Sequence, residues 1–272
     1  MVNLKYREKE VKKVLWITLF LNLLVSMTKL VAGQAFGYLS LTSSGLESLF
    51  DGSANVLALV SIHFASQPAD REHQFGHYKY ENLGSLIIAL LLIFSAYQLG
   101  SQVVEEWGRT RPPRPFEIVP ILAIVLSMGV SLFTSRYESK KGHELKSSLL
   151  QADSAHTMGD FLISFGVLIS IIATQWGIWW IDWLMGGVIT VYLVVLALKI
   201  VRQNLPDLLD ASPEIRPSLV AQVTKMPHVV DIHRFRARGN EHWMQVDFHV
   251  HLDPDLSLVE AHKVGKNVEE KV

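Results

Sequence analysis

The chain has 272 residues, 49% of them hydrophobic, and a formal net charge of −1 at pH 7. Charged residues make up only 19%, below the roughly 25% of soluble domains, which indicates a membrane protein with a soluble appendage and gives no basic character for binding nucleic acid. Because there is no cysteine, disulfides, thiolate metal sites and cysteine nucleophiles are excluded, and a transition-metal site must use His, Asp and Glu.

The N-terminal segment MVNLKYREKEVKK is basic and runs directly into a long apolar stretch. This stretch is too long for the apolar region of a cleaved signal peptide, and no small-residue cleavage site follows it. We therefore predict a first membrane helix with a basic cytoplasmic anchor.

Six segments are long enough to cross about 30 Å of hydrocarbon at 1.5 Å per residue. The predicted spans are residues 13–35, 40–65, 82–106, 115–136, 149–175 and 179–202. Lysines and arginines precede the first span and lie in the loops after the second and fourth spans, which predicts that both termini are cytoplasmic. The loop with Arg109, Arg111 and Arg114 departs from this bias.

The composition changes after Arg202, where NLPDLLDASPEIRP has the pattern of a linker. The remainder predicts helix, strand, strand and helix, with a turn at GNEH between the strands and Ser257 capping the last helix. The predicted fold class is an all-α membrane domain of six transmembrane helices (1–205) plus a small cytoplasmic α+β ferredoxin-like domain (206–272). Since an αββα half-repeat normally closes with another strand, we expect that last strand to lie beyond Val272 in a longer native chain.

Two predicted spans carry matching pairs of ionisable residues at a spacing of four. Glu47 and Asp51 lie in the second span, and His156 and Asp160 lie in the fifth. Residues four apart share one face of a helix, so two such helices can converge on a single ion. Three carboxylates and one imidazole suit a tetrahedral divalent transition metal such as zinc, whereas magnesium and calcium prefer oxygen ligands alone.

The alternative is that these groups are polar residues buried between helices and bonded to one another or to the backbone. Two pairs in two spans favour a functional site, because ionisable groups inside the membrane are costly. We predict Asp153, near the membrane edge, to be a solvated or capping residue rather than a ligand. We predict that Asn55 lines the ion's route without binding the ion.

These residues lie in motifs with a family resemblance. ESLFD in the second span, HTMGD in the fifth and the loop from Pro68 to Glu81 (PADREHQFGHYKYE) resemble the cation diffusion facilitator family, and more narrowly its bacterial zinc and ferrous-iron efflux pumps. The resemblance covers essentially the whole chain. One departure is Glu47, since such proteins usually have Asp there, and it leaves the metal preference open.

In the loop after the second span, the resemblance implies a second metal site formed by Asp70, His73 and His77. Their spacing alone is equally compatible with a solvated loop that contains two histidines and an acid. The resemblance also implies an inter-subunit charge pair between Lys79 and Asp210, with Asp207 as the second choice of partner. The alternative for Lys79 is a lysine at the membrane edge that contacts lipid head groups.

In the tail, the resemblance implies that His233, Asp247 and His262 bind metal at a dimer interface. Many relatives have His where Asp247 stands, and the family's remaining ligands lie on the final strand. Strand alternation places His249 and His251 on the same face as Asp247. These two are weaker candidates, and the alternative for them is surface histidines on a solvated face.

The resemblance implies a homodimeric metal/proton antiporter that works by alternating access in the bacterial inner membrane and is not an enzyme. Zinc is the predicted cargo, and it is also a possible structural ion; iron(II), manganese, cobalt and cadmium stay open. His156 is the predicted proton coupler, because imidazole changes its protonation near neutral pH. The rivals are a metal-regulated membrane scaffold that does not transport and an intramembrane hydrolase, for which no His-Glu-x-x-His motif is present.

Overall fold

The computed structural model describes residues 4–36, 39–108, 118–178, 180–213, 217–239 and 244–271. Within these ranges some side chains lie outside the description, those of Glu47 and Asp51 among them. The arginine-rich loop, the first residues of the predicted fourth and sixth spans and most of the GNEH turn also lie outside the described residues. The chain forms two compact units, Met1–Leu205 and Pro206–Val272.

The described part of the first unit contains six long helices. They are α1 (Leu4–Phe36), α2 (Leu39–Ala65), α3 (Lys79–Glu106), α4 (Ile118–Glu144), α5 (Ser148–Gln175) and α6 (Ile181–Leu208). Five of these six are long and apolar enough to cross a membrane, and α2 offers only a shorter apolar stretch, Gly52–Ala65. A helical membrane domain is therefore confirmed. That α2 also crosses the membrane, which would make six spans in all, stays a prediction.

Helix α1 begins nine residues before the predicted span, because the basic segment continues the same helix. Lys, Arg and Glu are good helix formers, and Lys12 bonds Glu8 one turn earlier. The helices pack around a buried core that includes Leu15, Ile62 and Leu193.

Helices α2 and α5 run antiparallel, and two contacts fix their register. The amide of Asn55 in α2 donates to the carboxyl of Asp153 in α5 at 2.6 Å. At a second level, Gly84 of α3 lies close to both Ser61 and Leu149. Moving forward along α2 therefore means moving backward along α5. Asp51 accordingly lies level with residues 156–157, and Glu47 lies level with residues 160–161.

Arg7 ties three helix ends together through four hydrogen bonds. Its guanidinium donates to both carboxylate oxygens of Glu81 at 2.9 and 3.0 Å. It also donates to the carbonyl oxygens of Leu145 and Lys146, which join α4 to α5, at 2.9 and 3.2 Å. Ser147 donates to the same carboxylate at 2.5 Å. We call this group the Arg7 clamp.

The second unit contains α7 (Pro217–Thr224), β1 (Val229–Gly239), β2 (Met244–Leu252) and α8 (Leu258–Lys271). The two strands pair antiparallel, with irregularities between Val229 and Asp231 and between His233 and Arg236. The predicted order of helix, strand, strand and helix is confirmed. The predicted cap is also present, because Ser257 and Glu260 bond reciprocally in a capping box.

The Arg7 clamp generates a stability prediction. Lysine cannot reproduce the planar fork that binds a carboxylate and two carbonyls at once, so Arg7→Lys should lower the free energy of unfolding by about 1–3 kcal/mol through the acceptors left unsatisfied. The measurement is thermal unfolding of the purified protein in detergent. Arg136→Lys, at an exposed position on α4, is the matched control. Equal unfolding midpoints for the two variants would show that the clamp contributes nothing specific to arginine.

Candidate functional site

The two helices that carry the predicted transport residues contact each other within the first unit. The side chains of Glu47 and Asp51 lie outside the described residues, but the α2 backbone sets their Cα atoms one helical turn apart. On α5, His156 is buried and Asp160 is half-buried. The antiparallel register sets the two pairs at matching levels along the two helices.

The imidazole of His156 has an unusual environment for a buried polar group. The residue is only 5% exposed. Among the residues that the structure describes, neither Nδ1 nor Nε2 meets a hydrogen-bond partner. Buried polar atoms in proteins are nearly always hydrogen-bonded, so an orphaned ring needs an explanation. A metal ligand has this character, since its nitrogen lone pair is reserved for an ion.

Asp153 is not the solvated residue that the sequence predicts. It is 1% exposed, and its carboxyl accepts the bond from Asn55 in the core of the bundle. The prediction was wrong because it inferred the exposure of Asp153 from its distance to the end of the predicted span. In the structure, α2 and α4 pack over this turn of α5 and bury the residue. Both polar atoms of the Asn55 amide are hydrogen-bonded, because its oxygen also accepts a hydrogen bond from Asn22 of α1 at 2.8 Å.

Two charged residues inside the bundle were missed from the sequence. Lys29 of α1 is 6% exposed, and its Nζ donates to Ser48 at 2.9 Å, one residue beyond Glu47. Glu138 of α4 is completely buried. A single charge near the end of an apolar helix is usually predicted to lie at the membrane interface. For Glu138, the available signal was Thr134, a polar residue four positions earlier.

The loop after α2 brings its three predicted ligands together. One ligand atom from each of Asp70, His73 and His77 lies within 4.8 Å of the others. The Nε2 atom of His77 lies 3.4 Å from Asp70 Oδ2, and Nδ1 of His73 lies 3.5 Å from Asp70 Oδ1. Gly76 has a φ of +84°, a conformation that glycine adopts without strain, and it turns the chain just before His77.

The backbone prepares this loop triad for a cation. The Nδ1 atom of His77 lies 3.1 Å from the Pro68 carbonyl, which can only accept, so Nδ1 carries a proton and Nε2, on the Asp70 side, is the nitrogen that could bind an ion. The N–H groups of His73 and Glu72 donate to Asp70 Oδ1. These bonds, that from His73 first, hold the pKa of Asp70 below its ordinary value. The arrangement suits a divalent ion with nitrogen and oxygen ligands.

The two-stranded sheet of the second unit brings a different set of residues together from the one implied for the tail. Ligand atoms of Asp231, His233 and His251 lie within 4.8 Å of one another. The rings of His233 and His251 are 4.4 Å apart, and those of His233 and His249 are 5.3 Å apart. Asp231 was missed, because its register partner His251 depends on strand irregularities that sequence alternation does not reveal.

The other two tail candidates lie apart from this group. Asp247 accepts two hydrogen bonds from Arg236, at 2.9 and 2.6 Å, so its carboxylate is already paired. His262 is exposed on α8 and does not belong to the metal-compatible groups found among the described residues. The predicted alternation along β2 is confirmed, since Asp247, His249 and His251 are all exposed.

The residues of the predicted charge pair belong to different units. Lys79 is the first residue of α3, in the first unit. Asp210 follows α6 in the second unit, with a φ of +54°. The proposed pairing joins two subunits, so it remains a prediction.

Comparison with known proteins matches almost the whole chain to two family models. Residues 15–209 match the cation efflux transmembrane domain, and residues 211–272 match the cation efflux protein cytoplasmic domain. The chain is 30% identical to the cation-efflux pump FieF of Shewanella oneidensis, over 87% of this chain and 80% of that protein. It is 27% identical to the manganese efflux system protein MneS of Bacillus subtilis, over 92% of this chain and 86% of that protein. It is also 27% identical to an uncharacterized transporter of Methanocaldococcus jannaschii, over 97% of this chain and 94% of that protein.

The loop triad predicts a specific effect of a neutral substitution. Asp70→Asn should weaken zinc binding at the loop by about tenfold or more, because the carboxylate that faces both imidazoles loses its charge. Since the pKa of Asp70 is lowered, the stabilisation that it gives the loop is complete above the unfolded value of about 3.9 and is lost only as the pH falls through the lower folded value. Between pH 7 and 5 zinc binding at the loop should therefore not decline through loss of the Asp70 charge.

Equilibrium dialysis of the purified protein with Zn²⁺ would measure both effects. Glu72→Gln is the matched control, because Glu72 is an exposed carboxylate in the same loop whose side chain lies outside the triad. Identical zinc affinities for Asp70→Asn and Glu72→Gln would rule out a loop site centred on Asp70.

The sheet of the second unit predicts which substitutions matter in the tail. Asp231→Asn and His251→Ala should each weaken zinc binding by about tenfold or more. Asp247→Asn should leave zinc binding unchanged, because that carboxylate is paired with Arg236. Isothermal titration of the full-length protein would compare the three variants. The reverse pattern, with loss only in Asp247→Asn, would contradict a site formed by Asp231, His233 and His251.

Proposed function

The chain belongs to the cation diffusion facilitator family of cation efflux transporters, and on that premise we propose that it exports a divalent transition-metal cation in exchange for protons. The first candidate cargo is zinc. The family consists of transporters rather than enzymes, and the described helices are those of an integral membrane protein.

The observation that carries this proposal is the orphaned imidazole of His156. A buried ring whose two nitrogens lack partners among the described residues destabilises the protein unless another state of the molecule uses it. A bound divalent ion would supply the missing partner. A structural histidine in a membrane bundle would instead be bonded to a neighbouring helix.

We propose that the transport site consists of Glu47, Asp51, His156 and Asp160. The antiparallel register of α2 against α5 supports it, because it brings both pairs to the same two levels of the bundle. Three carboxylates and one imidazole give four donors, the number that a tetrahedral site requires. The ion would also offset the cost of keeping several carboxylates away from water.

The choice of metal depends on the balance between carboxylate and imidazole. Carboxylate oxygen suits manganese, and imidazole suits zinc and iron. Glu47 extends one methylene further than the usual Asp and therefore changes the geometry of the carboxylate set. Relatives named for manganese efflux and for cation efflux are both similar to this chain, so iron(II), manganese, cobalt and cadmium are the alternative cargoes.

Coupling to protons follows from the chemistry of the ligands. A metal binds neutral imidazole and ionised carboxylate, so its entry displaces protons from the site. In the outward-facing state, protonation of His156 and of a carboxylate would weaken the site and release the ion. Inward proton flow would then drive metal efflux.

The assembly that we propose is a homodimer in the bacterial inner membrane with six spans and both termini in the cytoplasm. Residues 1–205 would carry transport, and residues 206–272 would sense metal and stabilise the dimer. The match of residues 211–272 to the family's cytoplasmic domain supports this division. Lys79 and Asp210 would pair between the two subunits.

A transport assay separates this proposal from a metal-regulated scaffold. Asp160→Ala in vesicles with an imposed proton gradient should reduce zinc transport to background, because the site loses one of its charged ligands. Asp182→Asn, at a half-buried carboxylate in the first turn of α6, should retain transport. Zinc movement at the normal rate in Asp160→Ala would refute the site, and absence of transport by the native protein for every metal tested would favour the scaffold.

A further inference from the structure

A second group of acidic residues lies inside the bundle, apart from the proposed transport ligands. Glu138 of α4 is 0% exposed and Asp153 of α5 is 1% exposed, and the charge of each carboxyl group acts on the other. The amide nitrogen of Asn55 donates to Asp153 Oδ2 at 2.6 Å. The hydroxyl of Thr157 donates to the Asp153 carbonyl oxygen at 3.1 Å and lies 3.4 Å from Glu138 Oε2. Side chains from three helices therefore converge on this pair.

Two oxygen atoms beside this group have no hydrogen-bond partner in the described part of the chain. They are Oε1 of Glu138 and Oγ1 of Thr134, one turn earlier on α4, and both residues are 0% exposed. A buried oxygen that accepts nothing is costly. Two of them on one face of α4 indicate a ligand that binds there in another state of the protein.

The charge of the pair defines the kind of ligand. Two carboxylates in contact away from water repel each other and cannot both stay ionised unless a cation lies between them. Either a shared proton or a bound cation can relieve this repulsion. The unpartnered oxygen atoms of Glu138 and Thr134 favour a bound cation.

The position of the pair relates it to the ion route. Asp153 precedes His156 by three residues on α5, and Asn55 follows Asp51 by four residues on α2. Because the two helices run antiparallel, the pair lies about one helical turn, roughly 5 Å, from the transport ligands. In the proposed topology this turn is on the cytoplasmic side, from which the cargo enters.

We propose that Glu138 and Asp153 form a second intramembrane cation site, which takes a divalent ion from the cytoplasmic side and passes it to the transport site. The inference rests on the proposed transport of a divalent cation. The available donors are carboxylate and hydroxyl oxygens, which suit a hard ion such as Mn²⁺. The transport site itself contains an imidazole, and the two sites therefore differ in preference.

The test measures Mn²⁺ binding and transport in the full-length protein. Glu138→Gln and Asp153→Asn keep the size of each side chain and remove its charge. Each should weaken Mn²⁺ binding at this site by about tenfold or more, seen as the loss of one class of bound Mn²⁺ in equilibrium dialysis. Each should also raise the KM for Mn²⁺ transport with a smaller change in kcat, because the transport ligands are intact. Glu144→Gln, an exposed carboxylate on the same helix, is the matched control.

Measurements of Mn²⁺ binding and of transport distinguish the second cation site from the proposed transport site. Asp160→Ala should abolish transport and still show the Mn²⁺ that Glu138→Gln removes, so a failure of the transport assignment leaves the second site measurable. Equal Mn²⁺ binding and equal KM for Glu138→Gln and Glu144→Gln would overturn the second site. Full Mn²⁺ binding with transport that no longer responds to the proton gradient would also overturn it, because the pair would then bind a proton.

A variant that keeps both carboxyl groups provides a second test of the site if the carboxyl variants do not fold. If the carboxyl variants do not assemble, Thr157→Val removes only one hydroxyl, which lies 3.4 Å from Glu138 Oε2. Weaker Mn²⁺ binding in that variant supports the second site, and unchanged binding overturns it.

Discussion

The hydrogen bond between the Asn55 amide and the buried carboxyl of Asp153 fixes α2 against α5, and the geometry of the membrane unit depends on it. Both residues are 1% exposed, so leaving the amide or the carboxyl unpaired there would be costly. Asn22 extends the same chain of bonds to α1, so three helices share one register. Residues one turn away on α2 and α5 inherit that register. A metal site divided between two helices needs such a fixed reference, since its ligands must meet within a fraction of an ångström.

Much of this organisation is visible in the sequence, because it follows from local patterns. Long apolar segments identify the helices, alternation identifies β2, and Ser257 with Glu260 identifies the start of α8. The loop triad is also predictable, since Asp70, His73 and His77 are close in the chain and Gly76 turns the backbone between them. Each of these features is decided by residues within a few positions of one another.

The features that the sequence does not reveal depend on neighbours from distant segments. Asp153 has the sequence of an interfacial residue and becomes buried only because α2 and α4 cover it. Glu138 and Lys29 are single charges whose depth depends on helix packing. Asp231 meets His251 because the pairing of β1 and β2 is irregular at two places, and a slip of one residue would turn its side chain to the opposite face.

The Arg7 clamp has a consequence for motion. One guanidinium is hydrogen-bonded to the start of α3 and to the turn between α4 and α5, and it belongs to the start of α1. These three ends are therefore held together at one end of the bundle. Because all four bonds come from a single side chain, none of these ends can shift along the bundle without breaking bonds that hold the other two. A displacement of α1, of α3 or of the turn between α4 and α5 is therefore coupled to the other two through Arg7.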